Sequence, residues 1–203
     1  MNISAREKLL PQEEMLEILE SRKKLTIGLP VESSFQENRI VLIPDAVKTL
    51  VRHGHEVIIQ RGAGAASHFP DHDYAEGGAV ICESAEEIFR ADVVLKVAPA
   101  SEDEINMMKG KQFIISALHL NARNKSYFQS LIHKRISAIA FEYIKDKTNA
   151  SPVVRSISEI AGTASIQIAA EYLSHPDFGN GRMLGGFTGI APSEVVILGA
   201  GTV

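Results

Sequence analysis

From residue 25 onward, short apolar runs alternate with segments whose apolar positions recur at helical spacing. "LTIGLP", "HEVIIQ", "AVI", "DVVLKV", "KQFIISAL" and "ISAIAF" read as strands, short and rich in Val and Ile as buried central strands are. Between them lie helices. One opens at Pro44, carries Val47, Leu50 and Val51 on its apolar face and stops at Gly54. A short one over 71–76 ends at Gly77 and Gly78, and another covers 85–90 behind a Ser84/Glu87 capping box. Ser101 with Glu104 repeats that box for the next helix, and a helix over 124–134 buries Phe128, Leu131 and Ile132. A longer helix runs over about 157–173, capped by Ser156 and Glu159, with Ile157, Ile160, Ala161, Ala164, Ile168 and Tyr172 along one face. Strands alternating with helices in this way predict an α/β fold: three layers, a mostly parallel sheet with helices on both faces, Rossmann-like or flavodoxin-like.

Residues 1–24 stand apart as a charged helical extension with a thin apolar face of Met15, Leu16 and Leu19. Their charges, with no long apolar centre, exclude a signal peptide. A Gly-rich linker over 175–194 follows the long helix, and "VVILGAG" at the end is a strand running into Gly199-x-Gly201. That reads either as the opening of a dinucleotide fingerprint, whose third glycine would fall at position 204, or as an accidental glycine loop. The expected layout is therefore an extension over 1–24 and a substrate-binding α/β domain over 25–155. An inter-domain helix over 156–174 packs on that domain, and the linker leads to the first strand of a truncated nucleotide domain over 195–203.

Composition narrows the function. At 203 residues and 45% apolar, the chain can bury a core without staples. A net charge of -4 offers no basic footprint for nucleic acid, and no run of apolar residues is long enough for a membrane helix. The single cysteine, Cys82, makes neither an internal disulfide nor a thiolate metal site, and the histidines show no ligand spacing, so no metal is expected and the cytoplasm is the expected location. "RGAGAAS" lacks the Lys and Ser/Thr ending of a phosphate loop and reads as a tight turn.

In parallel α/β sheets ligands sit outside the carboxyl ends of the strands. Arg39, Lys96, His119 and Glu142 lie there. Lys96 stands between Leu95 and Val97 in an apolar strand, where a lysine is costly unless it snorkels from an edge strand or meets an anion. Arg39 reads either as an ordinary loop arginine or as a fork for a carboxylate. His119 reads either as a satisfied core histidine or as an acid–base group, a role suited to a residue type that titrates near neutral pH.

Through "TIGLPVE", "ENRIVLIP", "GHEVIIQRGAG", "FPDHDYAEGGA", "ADVVLKV", "ALHLNA", "ISEIAGTASIQIAAEYL" and "GRMLGGFTGIAPSEVVILGAGTV", roughly residues 25–203, the chain resembles the amino-terminal half of the bacterial alanine dehydrogenases. That half is shared with the alpha subunit of nicotinamide nucleotide transhydrogenase. The histidine of "LHLNA", with "SEIAG" and "GRMLGG", looks like the dehydrogenase branch. The resemblance implies NAD-dependent, reversible deamination of L-alanine to pyruvate and ammonia. It implies that Arg39 holds the substrate carboxylate, that Lys96 contacts the carboxylate and carbonyl, and that His119 is the acid–base partner. It also implies a homo-oligomer, a hexamer in the full-length parent, with NAD bound in the second domain at the turn that Gly199 and Gly201 begin. The 203 residues alone are then expected to be inactive and to hold NAD weakly. The extension over 1–24, "VESSFQ" after the first strand, and Phe187 and Thr188 depart from the family pattern. Two other readings are a transhydrogenase-like NAD(H)-binding protein and a non-catalytic domain for a small carboxylate.

Overall fold

The computed structural model describes residues 24–199, Gly201 and Val203; the expected helical extension lies outside them except for Lys24. Its contacts divide into two compact units, one running to Ile139 and one from Ala140 to Val203.

The first unit is built on a sheet of β1 (Thr26–Leu29), β2 (Glu56–Gln60), β3 (Val80–Cys82), β4 (Val93–Leu95), β5 (Phe113–Ser116) and β6 (Ser137–Ala140). Its order is β3-β2-β1-β4-β5-β6, and β1 pairs in parallel with β2 and with β4, as β2 does with β3 and β4 with β5. The expected parallel sheet is therefore present.

Period-two alternation along the strands divides the core. Ile27, Leu29, Val57 and Ile59 pack with Val47 of α1 (Pro44–Arg52) and Tyr74 of α2 (Asp71–Glu76). Ile58, between Val57 and Ile59, packs instead with Cys82 and with Ile88 of α3 (Ala85–Phe89). Val94 and Ile114 join Phe89, Ile105 of α4 (Glu102–Met107), and Tyr127 and Leu131 of α5 (Lys125–His133). Adjacent residues of one strand thus serve opposite helical layers.

Within α5 Leu131 is buried and Phe128 packs half-buried on the core as expected, Tyr127 is buried as well, and Ile132, expected on that face, is 72% exposed. Tyr127 and Leu131 are four apart and define the face; at about 100° per residue Ile132 falls off its edge. "RGAGAAS" is a turn as expected: Ala65–Ser67 form one 3-10 turn, and Gly62 donates its N–H to Asp71.

In the second unit α6 spans Pro152–Ser174. It starts ahead of the expected Ser156 because Pro152, with its preset φ and missing N–H, occupies the first turn. None of its side chains is buried; Ile160, Ile168 and Tyr172 are exposed. Val195–Leu198, read as a strand, have no ladder partner among the described residues and are assigned none. A strand exists only through pairing.

Candidate functional site

Strand order reverses at β1, which has β2 on one side and β4 on the other. At such a switch point the loops beyond β1 and β4 diverge to opposite layers and leave a crevice between them. Lys96 is the first residue beyond β4, and Glu32 is the third beyond β1. Because β4 is flanked by β1 and β5, the edge-strand reading of Lys96 fails. Its backbone N–H continues the ladder to the Ile115 carbonyl.

The Lys96 side chain is fully buried. Its Nζ lies 2.9 Å from Glu104 Oε1 and 3.3 Å from Glu32 Oε2, both carboxylates being buried as well. An isolated ammonium in such a place costs several kcal/mol; here two opposite charges answer it, with a hydrogen bond to Glu104. Glu104 Oε2 accepts the Ser101 N–H at 2.8 Å, its own N–H donates to Ser101 Oγ at 3.2 Å, and Ser33 Oγ donates to its Oε1 at 2.8 Å. The capping box expected at Ser101 and Glu104 is present, and its glutamate is also the counter-ion of Lys96. Glu32 accepts N–H bonds from Val97 at 2.5 Å and Ala98 at 3.3 Å, tying the loop after β1 to the exit of β4.

Arg39 lies in the same β1 loop, with its guanidinium on Glu37: Nε donates to Oε1 at 2.8 Å and Nη2 to Oε2 at 2.6 Å. Those bonds hold the Glu37 carboxyl below its usual range, with partial burial opposing. They raise the Arg39 guanidinium further, against partial burial and with the charges of Glu37 and then Glu32 adding. Glu32 thus pairs directly with Lys96 and acts on Arg39 through its charge.

His119 leaves the same edge of the sheet, three residues past β5. It is exposed, with φ +48° and ψ 54°, and its carbonyl accepts the Ala122 N–H at the start of a 3-10 turn. The core-histidine reading is therefore wrong. The left-handed conformation is uncommon for a residue with a side chain and is held by the surrounding turn. Glu142 lies in the second unit, in the 3-10 turn Phe141–Tyr143.

Sequence reasoning passed over Glu32, Ser33 and the second role of Glu104. The available signal was electrostatic: a lysine inside an apolar strand demands a carboxylate from an adjoining loop. Another missed group is Tyr127, 3% exposed, whose hydroxyl has no hydrogen-bond partner among the described residues. Burial pushes this hydroxyl up, with the Arg123 charge opposing and Glu104 adding.

At the far end Gly199 has φ +112°, a turn geometry that a side chain would oppose, and a Cβ on Gly199 or Gly201 would meet nothing within 4 Å. The opening turn of a pyrophosphate site fits here. The helix N-terminus that supplies most of its N–H donors is not among the described residues.

A parallel α/β domain with strand order 3-2-1-4-5-6 and charged groups gathered at its switch point has the architecture of the doubly wound domains. More narrowly, the family model "Alanine dehydrogenase/PNT, N-terminal domain" matches residues 28–161, and its companion "Alanine dehydrogenase/PNT, C-terminal domain" matches residues 165–203. The chain belongs to this family. An alanine dehydrogenase of Methanococcus maripaludis is 38% identical over 180 residues, covering 88% of this chain and 48% of its own length. A solved structure of L-alanine dehydrogenase superposes with a TM-score of 0.83 at 36% identity, covering 88% of this chain and 49% of that one. A transhydrogenase from Sinorhizobium meliloti gives a TM-score of 0.67 at 27% identity, covering 73% of this chain and 44% of that one. The chain spans about half the length of the curated relatives it matches.

Proposed function

We propose that the protein containing this chain catalyses the reversible oxidative deamination of L-alanine: alanine, NAD+ and water give pyruvate, ammonium, NADH and a proton. In this reading residues 25–155 are the substrate-side domain, residues 156–174 the inter-domain helix, and the segment from 195 the start of the NAD domain. The enzyme is cytoplasmic and a homo-oligomer. The observation that carries the reading is Lys96, a fully buried lysine held by two carboxylates at the switch point of a sheet.

Arg39 and Lys96 bind the small acid. A lysine ammonium has three donors; one goes to Glu104 and Glu32 pairs with the charge at 3.3 Å, which leaves a donor for a substrate oxygen. Because Lys96 is closed off from solvent, the substrate reaches it by displacing part of the loop after β1 or of the segment after β4. The planar fork of Arg39 suits a carboxylate, which takes the place of Glu37 on it. His119, exposed at the rim, takes the proton of the water that adds at the α-carbon and returns it to the departing amine. NAD, when bound, would supply the hydride acceptor for that carbon.

The test is steady-state kinetics of the whole protein with alanine and NAD, and with pyruvate, ammonium and NADH. Alanine-dependent NAD reduction is expected. His119→Ala should lower kcat by roughly 10²–10⁴-fold with little change in KM, as loss of a proton-transfer group does. A wild-type protein with no alanine-dependent reduction of NAD overturns the assignment.

A further inference from the structure

We infer that Glu104 is a positioning residue for the substrate-binding lysine, fixing the Lys96 ammonium where the substrate must meet it. The inference rests on the proposed function, and the geometry gives it a specific form. Glu104 approaches Lys96 from α4, on a short 2.9 Å contact, and its carboxylate is otherwise fully engaged. Ser101 N–H fixes one oxygen, Ser33 Oγ fixes the other, and the helix start fixes the backbone. Glu32 contacts the same ammonium at 3.3 Å from the loop after β1, a segment that also carries Arg39. The two carboxylates therefore differ in kind. Glu104 is anchored by Ser101 at the start of α4 and by Ser33 of the loop after β1, whereas Glu32 sits in that loop and is held by the Val97 and Ala98 N–H groups.

A lysine has four side-chain torsions, and its ammonium has no preferred position without a fixed partner. If Glu104 supplies that partner, its removal leaves Lys96 with only the longer 3.3 Å contact to Glu32. Transition-state alignment is lost more than ground-state binding, because misplacement of a charged group is felt most where charge develops.

The experiment compares Glu104→Ala, Glu104→Gln, Lys96→Ala and Lys96→Ala/Glu104→Ala in the whole protein, each with its thermal midpoint and its kcat and KM for pyruvate. Expected are a fall in kcat of about tenfold or more for Glu104→Ala with a smaller rise in KM, and partial recovery in Glu104→Gln, which keeps the acceptor and the cap. The double variant should be no slower than Lys96→Ala alone, since Glu104 acts through Lys96. A lowered thermal midpoint with unchanged kcat and KM in both Glu104 variants, or fully additive losses in the double variant, overturns the inference. Should Glu104→Ala fail to fold, Glu104→Gln with wild-type kcat overturns it as well. An inactive wild type overturns the functional reading first, and with it this inference; an active wild type with indifferent Glu104 variants overturns this inference alone.

Discussion

At the scale of single residues, the candidate site is a set of cations already answered by the chain's own carboxylates. Arg39 is the exposed case: Glu37 occupies the Nε–Nη2 side of its guanidinium. A substrate carboxylate therefore competes with Glu37, and Glu37→Gln should lower KM for pyruvate in the whole protein. Exposed pairs of this kind contribute at most about 1 kcal/mol, so the expected change is roughly two- to fivefold. An unchanged or raised KM would remove Arg39 from substrate binding. The buried Tyr127 makes a separate prediction. Its hydroxyl carries the cost of desolvation with no partner among the described residues. Tyr127→Phe keeps the ring packing and should stabilise the fold by about 1 kcal/mol in urea melts near neutral pH. Burial raises this hydroxyl, so the fold favours its protonated form. The stability it contributes is complete below the ordinary tyrosine range and is lost as pH rises through the raised value. The advantage of Tyr127→Phe over wild type should therefore widen in alkaline buffer. A gap that narrows there would contradict the sign.

At the scale of elements, close packing on β1 is a strong local constraint. Gly28 lies in the middle of the strand, and a Cβ there would sit 2.5 Å from the Ile88 carbonyl oxygen and 3.0 Å from Ala91 Cβ. The obstacle is backbone of α3, which cannot rotate aside. Gly28→Ala should cost about 3 kcal/mol of stability, at the upper end of overpacking effects; a cost below about 0.5 kcal/mol would mean that α3 moves freely. Buried parallel strands announce themselves as short Val/Ile runs, so every strand of this sheet was legible. Helix starts were less so, because of the three Ser-x-x-Glu patterns read as caps, at 84, 101 and 156, only the one at 101 forms a reciprocal cap. There Lys96 and Ser33 hold Glu104 in place. At 84 the serine accepts no side-chain cap bond, and at 156 the hydroxyl donates to the Pro152 carbonyl while Glu159 takes the Arg155 guanidinium. A local motif becomes a structure only where tertiary partners agree with it. The same reason hid the site: Arg39, Lys96 and His119 were visible as residue types, but Glu32 and Glu104 acquire their meaning only when β1 and β4 become neighbours.

At the scale of the whole molecule, the chain joins a parallel α/β unit with charged groups at its switch point to a second unit that contains Gly199 and Gly201. Gly199 provides the sharp turn at φ +112°, and Gly201 leaves open space beside it. Val196, Ile197 and Leu198 before the turn are 84%, 77% and 95% exposed, so the strand that should support it has no sheet to lie in. Pyrophosphate affinity comes chiefly from unpaired N–H groups and the dipole at a helix N-terminus, and no helix follows Gly201 among the described residues. A polypeptide of these residues alone should therefore give no strong calorimetric signal with NAD and no hydride transfer, because the reacting atoms have nothing to hold them near contact. Weak binding of pyruvate is a separate expectation, since Arg39 and Lys96 both lie in the first compact unit. A one-to-one NAD complex with a micromolar Kd would overturn this view, and would mean that the crevice between β1 and β4 accepts a dinucleotide without the donors such ligands normally require.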